Sequence, residues 1–132
     1  MLNSRIQASF EPSVDTYCES LLASQEETAR LSLRWARLEQ DMVEHNRWLE
    51  LSEAEQLALP AAREMHEIDA RLAALNEERE EMLPLIEALA AVDRRALMLK
   101  LQIVRMLLLP EENPQGRALF DSALRDLAIL WR

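Results

Sequence analysis

The stretch 14–49 reads VDTYCESLLASQEETARLSLRWARLEQDMVEHNRWL, and its spacing decides the architecture. Val14, Tyr17, Leu21, Ser24, Thr28, Leu31, Trp35, Leu38, Met42, His45 and Leu49 recur in alternating steps of three and four. Residues three and four apart share one face of an α-helix. The stretch therefore predicts one helix carrying a heptad stripe about 54 Å long at 1.5 Å per residue. Beside that stripe Leu22, Ala29, Ala36 and Val43 repeat every seven residues. They predict an apolar arc wider than a two-stranded seam, suited to a helix with two or more neighbours in a bundle.

Composition supports the same reading along the whole chain. Of 132 residues, 25 are Leu, 18 Ala, 18 Glu and 14 Arg, with one Gly and few β-branched residues. Strong helix formers dominate, and sheets or glycine-rich phosphate loops have little material. Residues 1–12 lack helical periodicity and are read as an N-terminal arm, with one all-helical domain over 13–132. Ser52 and Glu55 stand at capping-box spacing, so the chain is expected to turn between Glu50 and Pro60.

A second heptad run follows through Met65, Ile68, Leu72, Leu75, Arg79, Met82, Ile86 and Leu89. Pro84 lies inside it, where it removes a backbone bond and crowds the carbonyl of Glu80, which predicts a kink or break there. Leu85, Leu89, Val92, Ala96, Leu99, Ile103 and Met106 then form a shifted series beside Leu97, Leu101, Val104 and Leu108. That third helix, 84–109, is expected to be the most buried. Asn113 and Pro114 suit the cap and first turn of a last helix over 114–131. Phe120, Leu124, Leu127 and Trp131 line one side of it, with Leu119, Ala123 and Leu130 adjacent.

Charge and cysteine content exclude several classes. The net charge is −9, although residues 93–132 hold seven Lys and Arg against five Asp and Glu. An acidic chain repels a phosphate backbone, so nucleic-acid binding is not expected. The N-terminus lacks the apolar core of a signal peptide, and every apolar run falls short of a membrane span. One cysteine, Cys18, permits no internal disulfide, and the cytoplasm is the expected compartment.

The chemistry-bearing residues form no recognisable catalytic set. His45 falls on the seam one turn after Asp41 and is read as a core histidine, since a metal site needs three or four convergent ligands. His66 begins HEIDA, without the second histidine of a zinc-protease helix, and is read as a surface or boundary residue. Neither histidine has Glu three positions before it, as a two-metal carboxylate bundle requires. Glu64 with Glu67, Glu77 with Glu80, and Glu78 with Glu81 offer Glu-x-x-Glu spacing, which a solvated acidic face explains. Cys18 lies between Asp15 and Glu19, whose charges oppose a reactive thiolate, and reads as a small packed or partly exposed thiol. No cofactor or metal is expected.

These observations predict an all-α fold: a long antiparallel, coiled-coil-like hairpin with a kinked second arm and a short C-terminal helix, its bundle completed by dimerisation. The expected function is a non-enzymatic protein–protein interaction module: an adaptor, regulatory subunit or chaperone-like protein that binds a partner helix. Trp48, Leu101, Val104, Leu108, Phe120, Leu124, Leu127 and Trp131 are the candidate partner-binding residues, while Trp35 on the seam is read as core. Two alternatives remain. One is a helical metal-dependent phosphohydrolase using Glu64, Glu67, Glu77 and Glu80; the other is a structural coiled-coil assembly component.

Overall fold

The computed structural model describes residues 13–131, and its ordered elements are helical throughout those residues. They are α1 (Val14–His45), a 3-10 turn (Trp48–Glu50), α2 (Glu53–Leu57), α3 (Pro60–Ala88), α4 (Arg94–Leu107) and α5 (Pro114–Leu130). The N-terminal arm read over 1–12 lies outside the described residues. The described residues form two compact units, Ala23–Leu83 and the remainder, 13–22 with 84–131.

Helix α1 starts where the stripe starts. The Ser13 hydroxyl accepts a bond from the amide of Thr16 (3.3 Å), satisfying one of the free donors of the first turn. Val14, Leu21, Leu38 and Met42 are buried along the stripe, with Leu31 and Trp35 half-buried. Burial along the stripe ends at Met42, about two turns earlier than its spacing predicts. His45 and Leu49 are exposed, Leu49 to 81%, so the reading of His45 as a core histidine is overturned.

The cause is local. Arg47 adopts left-handed backbone angles (φ 52°, ψ 41°), which stop α1 and rotate the following residues off its face. A non-glycine residue there costs roughly 1–2 kcal/mol, and a chain with one glycine has none to place at this turn. The wide arc is corrected too. Leu22 is half-buried, but Ala29, Ala36 and Val43 are exposed, leaving a narrow inward seam.

Beyond the turn, Ser52 and Glu55 form the reciprocal capping box (3.1 and 3.2 Å), and Pro60 is the first residue of α3. Within the Ala23–Leu83 unit, Leu38 and Met42 of α1 pack with Met65 and Ile68 of α3, flanked by Leu31, Trp35, Trp48 and Leu72. Two ion pairs tie the same helices together: Arg34 with Glu64 (2.9 Å) and Glu27 with Arg71 (2.7 Å). Moving seven residues back along α1 matches moving seven forward along α3, so the two run antiparallel here.

The hydrogen bond from Arg71 holds the Glu27 carboxyl below its ordinary range. A carboxylate with a depressed folded pKa adds stability above its unfolded value, about 4.3 for Glu, and loses it as pH falls through the folded value. Thermal unfolding midpoints of Glu27→Gln are therefore expected to drop less than those of the wild type between about pH 5 and pH 2. Parallel curves would remove this pair from the acid response.

Helix α3 does not break at Pro84. It continues to Ala88, and the break falls at residues 89–93, so the third helix begins at Arg94 instead of residue 84. Two causes act. Pro84 is exposed, so the unmatched carbonyl of Glu80 can face water, and the ladder resumes with Leu89 N–H donating to Leu85 O (3.1 Å). The second is Asp93, whose carboxylate accepts from the amide of Ala96 (2.8 Å) and caps α4 in a fresh register.

The unit that includes residues 84–131 is anchored by buried Val14, Cys18, Leu21, Ile86, Ala96 and Ile103. Arg95 bonds Asp15 (3.3 Å) and Glu19, and the Lys100 ammonium donates to the carbonyl of Leu89. Asn113 caps α5 through the amide of Gly116 (3.0 Å), with Pro114 in its first turn. Arg105 joins α4 to α5 by pairing with Asp121 (2.7 Å). The expectation that the third helix is the most buried fails: α4 fully buries only Ala96 and Ile103, and α5 buries no residue. Val92 of its series stands 86% exposed, because it falls in the break.

Candidate functional site

The residues singled out for partner binding divide between the two units. Leu101, Leu108, Phe120, Leu124 and Leu127 are half-buried, while Val104 and Trp131 are exposed. The guanidinium of Arg94 lies 5.6 Å from the centroid of the Trp131 ring, close enough for a cation–π contact. Phe120, Leu124 and Leu127 are thus the partly covered side of α5. Its open flank belongs to the neighbouring line: Leu119 is 73% and Leu130 83% exposed, with Ala123 between them and Ile129 beside them. The width of the apolar face on α5 was the signal for this flank; which half of it would be covered depended on α4.

Trp48 belongs to the other unit, where it helps to wall a cavity of about 280 Å³. Trp35 of α1 and Trp48 of the 3-10 turn supply its aromatic surface, and Ala62 and Met65 of α3 supply buried apolar surface. One turn outward on α3, His66 and Asp69 reach the same cavity from exposed positions. Glu53, Gln56 and Leu57 of the short helix α2 complete it. Helix α2 is held in place by its capping box and by the Gln56 amide, which donates to the carbonyl of Trp48 (2.9 Å). The indole Nε1–H of Trp35 is buried without an acceptor among the described residues.

This cavity was missed in the sequence because its walls come from four separate segments. The spacing Ala62, Met65, His66, Asp69 marks one helical face changing from apolar to polar, yet nothing in it names the opposing tryptophans.

Other candidate groups fall into place individually. Asp41, Glu44 and His45 bring one ligand atom each within 4.8 Å of one another, all on exposed side chains. Nδ1–H of His45 donates to the carbonyl of Asp41 (3.1 Å), and the Gln40 amide donates to Glu44 (3.0 Å). Glu64, Glu67, Glu77 and Glu80 do not assemble into one site. All four stand on α3, and the 13 residues from Glu64 to Glu77 separate them by about 20 Å along the axis. Glu64 is already paired with Arg34.

Cys18 is fully buried, the packed alternative of its sequence reading. Burial pushes its thiol pKa up, with Asp15 and Glu19 adding to the rise and Lys100 opposing it. A neutral, enclosed thiol is a poor nucleophile.

No known protein family, curated protein or solved structure shows a significant match to this chain.

Proposed function

We propose that this protein is a non-enzymatic interaction module that covers the open flank of α5 with a partner helix, a second copy of the chain in a homodimer being the occupant tested first. The observation that carries this reading is that α5 buries no residue, while Leu119, Ile129 and Leu130 stand exposed on it. A helix of 17 residues gains most of its stability from packing, not from propensity, so an unburied apolar flank marks an interface. The antiparallel α1 and α3 act as a hairpin scaffold, and the second copy completes the bundle through the flanks of α4 and α5. The enclosed lone thiol of Cys18 suits a reducing cytoplasm.

Light scattering on the purified chain at micromolar concentration is expected to give twice 15.3 kDa. Leu119→Asp with Leu130→Asp is expected to shift it to the single-chain mass with helical circular dichroism retained. A wild-type monomer that also captures no stoichiometric protein from its native cells would overturn the interaction reading. Capture of a different protein by a monomer would retain the flank and replace the occupant.

A further inference from the structure

The cavity beside Trp48 is lined by two indole rings and two carboxylates. Several carboxylates of the chain are matched by arginines: Glu27 by Arg71, Glu64 by Arg34, Asp15 and Glu19 by Arg95, Asp121 by Arg105. Glu53 and Asp69, which both reach the cavity, have no ion-pair partner among the described residues, although the chain carries 14 arginines. Gln56 has committed its amide N–H to Trp48, which leaves its carbonyl oxygen as an acceptor. The polar lining is therefore rich in acceptors, and the apolar lining includes two indole rings, whose faces attract cations.

Size narrows the ligand further. About 280 Å³ lies just below the range of pockets that hold drug-sized molecules or cofactors, and suits one long side chain. Among cationic groups, guanidinium is planar, weakly hydrated, stacks on aromatic rings and bonds carboxylates through a fork of N–H donors.

We infer that this cavity binds an arginine side chain presented by a partner polypeptide, with the guanidinium held between the indoles of Trp35 and Trp48 and the carboxylates of Glu53 and Asp69. The assignment rests on the reading of the chain as an interaction module. It uses none of the residues of the α5 flank, so the two stand or fall by separate measurements.

The test is a titration of the full-length, ¹⁵N-labelled protein at pH 8 with acetyl-Gly-Arg-Gly-amide, following the three indole N–H signals assigned by single Trp→Phe variants. The signals of Trp35 and Trp48 are expected to move saturably while that of Trp131 stays fixed as an internal control. The same peptide with citrulline, the neutral isostere of arginine, is expected to leave all three unmoved. Glu53→Gln combined with Asp69→Asn is expected to weaken arginine binding by about tenfold or more, with an unchanged spectrum outside the cavity confirming the fold. Equal response to citrulline, movement of Trp131 alone, or no saturation by 10 mM peptide would overturn the assignment. Agmatine binding as tightly as the peptide would overturn the polypeptide source in favour of a free guanidine. None of these outcomes alters the mass by light scattering, so failure here is distinct from failure of the α5 interface.

Discussion

Met42→Ala is expected to lower the free energy of unfolding by about 2–5 kcal/mol, and Leu49→Ala to change it by no more than about 0.5 kcal/mol. The two residues occupy the same line of the heptad stripe, seven positions apart, and would be interchangeable if the stripe ran on unbroken. Met42 is 1% exposed among Leu38, Met65 and Ile68, so truncation leaves a cavity that its neighbours can close only in part. Leu49 lies past the left-handed turn at Arg47, in water. Leu21→Ala, at a fully enclosed position in the other unit, belongs in the first class. Urea unfolding followed by circular dichroism reads all three. Equal costs for Met42→Ala and Leu49→Ala would mean that α1 extends beyond His45.

That contrast shows what spacing can and cannot convey. The line from Val14 to Met42 is legible because every residue in it obeys one local rule, the 3.6-residue turn. Its end at His45 is not legible, because the stop is made by Arg47 in a conformation that glycine or asparagine would advertise. Residues 52–55 and 113–116 were readable for the opposite reason: Ser52 with Glu55, and Asn113 with Pro114, are side chains whose bonding capacity announces a helix start. Asp93 carries the same signal at the start of α4 but was masked by the continuing apolar series from Leu85 to Ile103, which made one helix of two.

The candidate site followed the same division. The apolar width of α5 was visible in Leu119, Ala123 and Leu130, whereas the exposed half was decided by where Arg105 of α4 meets Asp121. The cavity was invisible, since Trp35, Glu53 and Asp69 come together only through the packing of α1 against α3 and the placement of α2.

Pro84→Ala is expected to stabilise the protein by about 1–2 kcal/mol. Alanine at this position supplies an N–H to the carbonyl of Glu80 and removes the ring that crowds it, on a propensity scale where proline lies roughly 3 kcal/mol below alanine inside a helix. Part of that gain is offset, because proline also restricts the unfolded chain, an effect of about 0.4–1 kcal/mol. Placement near the C-terminal end of α3, where helices fray, reduces it further. The ring is exposed, so no packing is lost. The sign of the effect depends on whether residues 85–88 are helical. If they are, the new bond extends an existing ladder, and amide exchange across 84–88 slows together with the rise in stability. If α3 instead ended at Leu83, alanine would find no helix to complete and would only loosen the unfolded chain, so the substitution would be neutral or destabilising. Urea unfolding of Pro84→Ala therefore distinguishes a helix that passes through its proline from one that stops at it.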